Sequence, residues 1–432
     1  MLDKVLSRHQ AGSAGWQCEA WFSLVLCLVL CHGAPSRHSC RCSSSLRASR
    51  AGFSQGTRCL LLLDMASEKL KVMVLGGCGF IGRYIVGELL AKNVASTVCV
   101  VDKVPPQIAW LNEEQNKVFN DERVVFKSAN LINTASCEAV FAEEEWDWVI
   151  NAAGETKTGQ VEAVYHEGIV RLSTNCANEA AKRKVKIYLE VSAGNMGSDE
   201  KTPQKEADDC HPWTSIAKNK HQVEKEIQSI PDLNWIIVRP AIVYGKSDRT
   251  GLTPRLVFGA VYRHLGEMMK MMWDENLVVN TVHVTDVARA IVWLCQQGKT
   301  KQVYNIVDDG NTKQGDVNNI VSDIFNINHD YWGNTLSTIA KTDAVGLVSE
   351  INEKHLVPWA AICSAGGLDN TPLTPYIDQN SVHPNHLHLD GSKLRKEGFT
   401  FSVPKPSHDN LMEILKDFIG MKMFPANALP SQ

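Results

Sequence analysis

The stretch KVMVLGGCGFIGR, residues 71–83, decides the fold of this chain. It begins with an apolar run typical of a buried parallel strand, and apolar residues recur at helical spacing from Ile81 onward. Gly76 permits a tight turn, Gly79 lets backbone N–H groups approach a phosphate, and Gly82 lets the helix pack against the strand. Because a helix N-terminus adds positive potential and unpaired N–H donors, the stretch predicts a site for the pyrophosphate of a dinucleotide.

An acidic residue follows at the expected distance. Asp102 ends a second apolar run, STVCVVDK at residues 96–103. A carboxylate about 20 residues after the glycine loop is placed to accept hydrogen bonds from the adenosine ribose hydroxyls, and it would repel a 2′-phosphate. The pair of signals therefore predicts NAD(H) in preference to NADP(H). The alternative is that Asp102 only terminates a strand.

Apolar runs alternate with amphipathic stretches along the chain, which is the pattern of a parallel α/β sheet. The runs predict strands at residues 71–77, 96–103, 123–130, 146–154, 186–194 and 234–245. Helices are predicted at 161–182, 213–229, 252–272 and 410–420, and an irregular segment at 330–390. We therefore expect an α/β fold: a Rossmann-type doubly wound parallel sheet with a smaller, interleaved C-terminal substrate domain.

The first 64 residues differ in composition from the rest. WFSLVLCLVLC, residues 21–31, is too short to span a bilayer as a helix but suits the apolar part of a signal peptide. Residues 32–63 contain arginines and serines without acids, as transit peptides do, and Met65 could instead be the true start. The expected layout is a leader at 1–64, an NAD-binding Rossmann domain at 65–250 and a substrate-binding region at 251–432 with elements that return to the first domain.

Composition excludes several classes of function. The 432 residues are 44% apolar and 21% charged, with a formal net charge of −4 and no basic cluster, so no nucleic-acid partner is expected. No stable membrane span is expected either. Seven of the thirteen cysteines follow residue 65 without metal-ligand spacing, which favours a reducing compartment. We predict a cytoplasmic protein, or a mitochondrial one if the leader is a transit peptide.

Later motifs point to one family. Besides the glycine loop, five segments occur in order: NAAG (151–154), VRPAIVYG (238–245), VHVTDVARAI (282–291), VYNIVDDG (303–310) and LDGSKLRKEGF (389–399). Over roughly residues 70–420 the chain resembles the extended, atypical branch of the short-chain dehydrogenase/reductases, and within it the NAD-dependent epimerase/dehydratase family. The residues that this resemblance and the glycine loop predict to bind the cofactor are Gly76, Gly79, Phe80, Ile81, Gly82, Asp102, Asn130, Leu131, Ala152, Ala153, Gly154 and Lys220.

The resemblance also implies a reaction centre. In this family a serine polarises the substrate oxygen, a tyrosine transfers a proton, and a lysine four residues later lowers the pKa of the tyrosine and binds the nicotinamide ribose. Ser192 and Lys220 match the serine and the lysine, but the tyrosine position holds Ile216. The asparagine that often assists them aligns with Val170, and the acid near the adenine aligns with Asn130.

Isoleucine has no group that can carry a proton, so the usual mechanism cannot operate at Ile216. Tyr244 is one candidate substitute, and His211 and Lys218 are two more, although each also suits an ordinary structural role. Two functions remain open. The first is an NAD-dependent oxidoreductase or epimerase/dehydratase-like enzyme acting on a small alcohol, carbonyl or sugar-nucleotide-type substrate. The second is a non-catalytic NAD-binding regulatory or scaffold protein. A homodimer through helices 161–182 and 213–229 is expected from the resemblance.

Two further features are interpreted as structural. His383, His386 and His388 are close enough in sequence to ligate a metal, but no complete ligand set accompanies them, so we predict a loop and no metal. Cys78 inside the glycine loop is interpreted as a small packing residue and not as a nucleophile, because no base accompanies it.

Overall fold

A computed structural model describes residues 70–378 and 385–430, which lie within one compact unit spanning Asp64–Gln432. The leader and His383 lie outside the described residues. Seven parallel strands form the central sheet in the order β10-β6-β5-β4-β1-β2-β3. They are β1 (Leu70–Leu75), β2 (Ala95–Asp102), β3 (Val124–Ser128), β4 (Trp148–Asn151), β5 (Ile187–Val191), β6 (Trp235–Pro240) and β10 (Gln302–Ile306).

Helices cover both faces of this sheet, which is why its strands are apolar at consecutive positions. In β1, Val72 and Val74 face one core cluster and Met73 and Leu75 the other. The first face packs against α1 (Phe80–Ala91) and α8 (Val284–Gln297). The second face packs against α3 (Thr134–Ala142), α5 (Leu172–Lys182) and α6 (Ser215–Ser229). Strand order reverses between β1 and β4, the place where such folds bind ligands.

Smaller elements connect these layers. They are α2 (Glu113–Phe119), α4 (Glu162–Tyr165), a π-helix (His166–Arg171), and two short 3₁₀ turns (Pro106–Ile108 and Ala426–Ala428). Two small parallel sheets lie outside the main one: β7 (Ile242–Tyr244) with β9 (Thr281–His283), and β8 (Met269–Met271) with β11 (His329–Tyr331).

A third core cluster holds the C-terminal helices together. These helices are α7 (Thr253–Leu265), α9 (Gln314–Phe325), α10 (Gly333–Lys341), α11 (Ala344–Ala365), α12 (Ser392–Lys396) and α13 (His408–Gly420). β10 and α8 come from the same half of the sequence but belong to the main sheet and its first face. The interleaving expected from the sequence is therefore present, while the domain boundaries at 64 and 250 stay predictions.

Three sequence-based assignments were wrong in detail. The run 234–245 is not one strand, because β6 ends at Pro240, which has no N–H for a sheet ladder, and β7 pairs with β9 instead. The stretch 252–272 is not one helix, because Gly266 adopts the left-handed conformation (φ 65°) that ends α7, and β8 follows.

The segment 330–390 was expected to be irregular, but much of it is helical. α11 alone has 22 residues and contains Pro358, which sequence rules treat as a helix breaker. Burial compensates, because Trp359, Ile362 and Cys363 of this helix pack into the third core cluster. Among the described residues, no helix has the length and apolar character needed to cross a membrane. The seven described cysteines are free thiols.

Candidate functional site

The glycine loop between β1 and α1 is tightly closed against the loop after β4. Gly76 has a φ of 71°, and a Cβ atom there would lie 2.6 Å from the Cα of Ala153. A Cβ atom at Gly82 would lie 2.2 Å from the carbonyl oxygen of Gly76. Only glycine fits at both places, and the two loops are thereby held in contact at the reversal point of the sheet.

The N-terminus of α1 is left open by its own sequence. Gly79 is the N-cap and provides no side-chain cap, and no acidic residue lies in the first turn. The backbone N–H groups of the first turn are therefore donors for an anion, with the helix dipole in support. Phe80 and Ile81 begin this turn and are half-buried, and the ring of Phe80 packs edge-on against Tyr84.

Arg83 holds the glycine loop in place through hydrogen bonds to its carbonyl oxygens. Its buried guanidinium donates to the carbonyl oxygens of Cys78, Gly79, Ala109 and Trp110 at 2.6–3.0 Å. Burial lowers its pKa to about 10, with a further contribution from Arg249. Because these carbonyl oxygens occupy the guanidinium, Arg83 is not free to pair with a 2′-phosphate.

Asp102 lies beside the loop, at the end of β2. Its carboxylate accepts hydrogen bonds from the N–H of Cys78 (3.1 Å) and of Val104 (3.0 Å). Burial raises the pKa of the Cys78 thiol to about 12, and the Asp102 charge adds to the shift, so the thiol stays protonated and packs as a small residue. The carboxylate of Asp102 has further lone pairs for a diol.

Asn130 and Leu131 follow β3 on the same side. Asn130 is exposed, and its side chain accepts a hydrogen bond from the N–H of Ile132 at 3.2 Å. Leu131 is buried in the second core cluster, and its carbonyl oxygen accepts from Asn175. Asn130 is therefore accessible to a ligand through its side chain, whereas the side chain of Leu131 serves the core.

On the other side of the reversal point, Ser192 follows β5. Its hydroxyl donates to Glu224 of α6 at 2.5 Å. Arg239 of β6 binds the same carboxylate through two N–H groups, at 3.0 and 2.6 Å. Burial opposes ionisation of Glu224, but the neighbouring His221 and the hydrogen bonds from Arg239 and Ser192 hold its pKa below the ordinary value. Ser192 is thus buried and anchored in an ion-paired cluster.

Lys220 is also in a buried ion pair. Its ammonium donates to Glu190 of β5 at 3.0 Å and to the carbonyl oxygen of Val191 at 2.7 Å. A Cβ atom at Gly154 would lie 3.6 Å from the Lys220 nitrogen. Lys220 therefore lies against the loop Ala152–Gly154 that also touches the glycine loop, and an ammonium has one N–H donor beyond these two hydrogen bonds.

The two aliphatic replacements both point into the core. Val170 is buried in the second core cluster, and Ile216 packs against that cluster half-buried. Val170 lies in the π-helix, whose Gly168 carbonyl accepts from the N–H of Glu155, just past the loop after β4. π-helical turns recur at functional sites, and a Cβ atom at Gly154 would lie 3.9 Å from the Gly168 carbonyl oxygen of this one.

None of the three candidate substitutes lies in hydrogen-bond contact with Ser192 or Lys220. Tyr244 is buried in the third core cluster, its hydroxyl has no hydrogen-bond partner among the described residues, and burial raises its pKa. Lys218 is exposed on α6, two residues from Lys220 and on another face. His211 is exposed, and its backbone bonds to Met196 at the loop after β5.

The histidines near residue 386 have structural contacts. His386 accepts from the N–H of Val278 at 3.1 Å, and His388 lies 3.2 Å from the carbonyl oxygen of Asp199. In the part of the chain that the structure describes, no three His, Cys, Asp or Glu side chains form a metal-binding group. Residues 385–389 instead pair with the loop after β5 and with Val279, which covers that loop.

Comparison with known families accounts for this arrangement. The model of the NAD dependent epimerase/dehydratase family matches residues 72–307, more than half of the chain. The chain belongs to this family.

Three relatives show how distant the members are. The chain is 20% identical over 249 residues to 4-hydroxy-2-methyl-3-oxo-4-farnesyl-3,4-dihydroquinoline-1-oxide ketoreductase of Stigmatella aurantiaca, with 55% of this chain and 68% of that protein covered. It is 28% identical over 179 residues to UDP-glucose 4-epimerase 3 of Oryza sativa subsp. japonica, with 39% and 48% covered. Its fold matches the UDP-glucose 4-epimerase of Thermus thermophilus, solved with NAD, at a TM-score of 0.57, 20% identity, and 81% and 99% coverage.

The predictions of family and of fold class are confirmed, and with them NAD as the cofactor of the NAD dependent epimerase/dehydratase family. The described residues fit that cofactor. The uncapped N-terminus of α1 suits a pyrophosphate, the Asp102 carboxylate suits a ribose diol, and the spare N–H of Lys220 suits a second ribose.

This member of the epimerase/dehydratase family has site residues that sequence analysis missed. Glu190, Glu224 and Arg239 are almost fully buried and hold Lys220 and Ser192 in place. Their signal was present in the sequence, because Glu190 and Arg239 are charged residues inside otherwise apolar strand patterns. Such residues are rarely buried without a partner.

Proposed function

We propose that this chain is an NAD-dependent oxidoreductase or an epimerase/dehydratase-like enzyme with a modified reaction centre. The observation that carries the proposal is a continuous set of contacts at the carboxyl ends of β1 and β4: Gly76 packs on Ala153, and Lys220 lies against Gly154. These contacts connect the glycine loop after β1 to Lys220, which matches the charged lysine of the family's reaction centre. A charged group is rarely buried without a partner and clusters at functional sites, so a lysine buried against this loop supports a functional role.

Each residue has a role that follows from its contacts. The first turn of α1 binds the pyrophosphate, Asp102 accepts from the adenosine ribose, and Lys220 donates to the nicotinamide ribose. When bound, NAD supplies a carbon that accepts or returns a hydride. Ser192 already donates its proton to Glu224, so its oxygen is placed to accept a hydrogen bond from a substrate hydroxyl.

The proton that leaves such a hydroxyl has no acceptor at Ile216. Tyr244 is buried and its hydroxyl has no hydrogen-bond partner among the described residues, and Lys218 is exposed, so neither is proposed as a substitute. We propose that this proton passes to water or to another group of the substrate. The reaction is then slower than one with a tyrosine, since general acid–base help is worth roughly 10²–10⁴ in rate.

The substrate class is proposed from the relatives. A small alcohol, carbonyl or sugar-nucleotide-type molecule agrees with the ketoreductase and the two UDP-glucose 4-epimerases. The region 251–432, with its third core cluster, is proposed to bind it. The homodimer and the cytoplasmic compartment also remain proposals, the latter supported by the free thiols of all seven described cysteines.

Calorimetric titration of the full-length protein with NAD⁺ and with NADP⁺ tests the cofactor site. We expect NAD⁺ to bind at least about tenfold more tightly than NADP⁺, because Asp102 repels a 2′-phosphate. Asp102→Ala should weaken NAD⁺ binding about tenfold, the loss of one or two hydrogen bonds to a carboxylate. Asp409→Ala, at a side chain that is 97% exposed, is the matched control and should bind as the wild type does.

Binding of neither nucleotide at millimolar concentration would end the proposal and leave a regulatory or scaffold protein as the interpretation. Binding of NAD⁺ that Asp102→Ala does not weaken would leave the cofactor but overturn the role of Asp102. Binding as expected justifies a screen of alcohols, carbonyls and sugar nucleotides for turnover.

A further inference from the structure

Glu190 is a buried carboxylate that the usual chemistry of such a site does not require. It lies in β5 with no exposed surface. One of its oxygens accepts from Asn151 (2.7 Å) and Tyr188 (2.9 Å), and the other from Ser173 and Lys220 (both 3.0 Å). Four donors surround its two oxygens, so the carboxyl group of Glu190 is held in one position.

The Glu190 carboxylate is hydrogen-bonded to Lys220 and, through Asn151, to the loop Ala152–Gly154. Its hydrogen bond to Lys220 cancels the ammonium charge locally. The side chain of Asn151, which donates to Glu190, accepts in turn from the N–H of Ala153 at 3.1 Å. Glu190 therefore holds Lys220 on one side and the loop Ala152–Gly154 on the other.

The strand order places Glu190 and Lys220 on the side of the sheet where the nicotinamide half of a dinucleotide would lie. Asp102 is the last residue of β2 and would hold the adenosine half of a dinucleotide on the side of β2 and β3. With a pyrophosphate held at the N-terminus of α1, the other half of the dinucleotide would extend across the reversal point toward β4 and β5. Lys220, against Gly154, is then next to the nicotinamide ribose.

The two redox states of nicotinamide differ in charge, so a charge compensated by Glu190 changes the relative affinities for NAD⁺ and NADH. The ring of NAD⁺ is cationic and that of NADH is neutral. A lone buried ammonium beside the ring would repel the oxidised form, and a neutralised one would not, because charges act strongly in a low-dielectric interior.

We propose that Glu190 is a positioning residue that neutralises Lys220 and thereby removes the bias against NAD⁺ that an uncompensated ammonium would impose. The proposal rests on the NAD site proposed above.

The test compares the ratio of the dissociation constants of NAD⁺ and NADH in the full-length wild type and in Glu190→Gln. The glutamine side chain would leave the lysine charge uncompensated while keeping the shape, so the ratio should rise about 10- to 30-fold. Glu226→Gln removes a carboxylate from the same helix as Lys220 but on a side that bonds to Gln222 and Thr174, and its ratio should stay within about twofold of the wild type.

Two more variants keep the test decisive if Glu190→Gln does not fold. Lys220→Met leaves the carboxylate alone and should lower the ratio, in the opposite direction. The double variant Glu190→Gln/Lys220→Met has no charge at either position, and its ratio should return to that of the wild type. A purely structural role would weaken both nucleotides equally and leave every ratio unchanged.

The outcomes separate the two proposals. If the wild type binds neither NAD⁺ nor NADH, the proposed function fails and this inference with it. If both bind and the ratio is the same in the wild type, in Glu190→Gln and in Lys220→Met, the NAD site stands and the role of Glu190 is overturned.

Discussion

The two halves of the candidate cofactor site differ in how they are built. On the adenosine side, the proposed contacts come from backbone N–H groups of the glycine loop and from one carboxylate, that of Asp102. On the nicotinamide side, they depend on side chains, and there Ile216 and Val170 are aliphatic while Glu190 holds Lys220. A backbone cradle needs only the right turn, whereas side-chain chemistry needs a particular residue at each position.

Gly82→Ala tests whether the backbone of the glycine loop is the main source of NAD⁺ affinity. A Cβ atom in Gly82→Ala would meet the Gly76 carbonyl oxygen at 2.2 Å and the Gly77 Cα at 2.7 Å, so the loop must move. We expect NAD⁺ affinity to fall about 100-fold, as an error of about 1 Å in a site can cause. Calorimetry measures this, with circular dichroism to show that the fold persists.

Gly87→Ala is the matched control on the same helix. Its Cβ would lie 3.9 Å from Val118, an ordinary contact. That variant should bind NAD⁺ normally and gain about 0.5–1 kcal/mol of stability, since alanine replaces glycine inside a helix. Equal affinities for both variants would show that the loop is not the phosphate site.

The nicotinamide side can be tested through the stability of its buried charges. Lys220→Met leaves Glu190 ionised in the core without a counter-charge, which should lower the free energy of unfolding by about 3–5 kcal/mol. Urea unfolding followed by circular dichroism measures it. Lys218→Met, on the exposed face of α6, should change stability by less than about 0.5 kcal/mol.

A double variant that removes the charges of both Glu190 and Lys220 tests whether the stability loss comes from the unpaired carboxylate. Glu190→Gln/Lys220→Met should recover most of the lost stability, because no ion remains unpaired. A double variant as unstable as Lys220→Met alone would mean that the lysine contributes through packing, and the ion pair would not be the feature that distinguishes this side.

Sequence analysis was accurate where structure depends on local pattern. The strands around Gly76, the position of Asp102 and the helix that carries Lys220 follow from periodicity and glycine chemistry. It failed where distant residues decide. Glu190 is stable only because Asn151, Ser173 and Lys220 come from other elements, and Pro358 is tolerated because α11 packs on the third core cluster. No single stretch of sequence contains those partners.

The smallest expected effect concerns the absent tyrosine. In Ile216→Tyr a phenol stands one helical turn before Lys220, where a free ammonium would lower its pKa. Because Glu190 neutralises Lys220, we expect the introduced phenol to titrate near its ordinary pKa of about 10. In Ile216→Tyr/Glu190→Gln the ammonium charge is exposed to the phenol, and its pKa should fall by about one unit.

Ultraviolet difference titration against the corresponding variants with Ile216 isolates the new phenol from the native tyrosines. The sign is set by charge alone, since a cation stabilises phenolate and a neutral ion pair does not. A pKa already well below the ordinary value in Ile216→Tyr would mean that Lys220 acts as a free cation despite Glu190. The nicotinamide side would then differ from the family pattern only in the residues at 216 and 170, and the contrast between the two halves would reduce to those two substitutions.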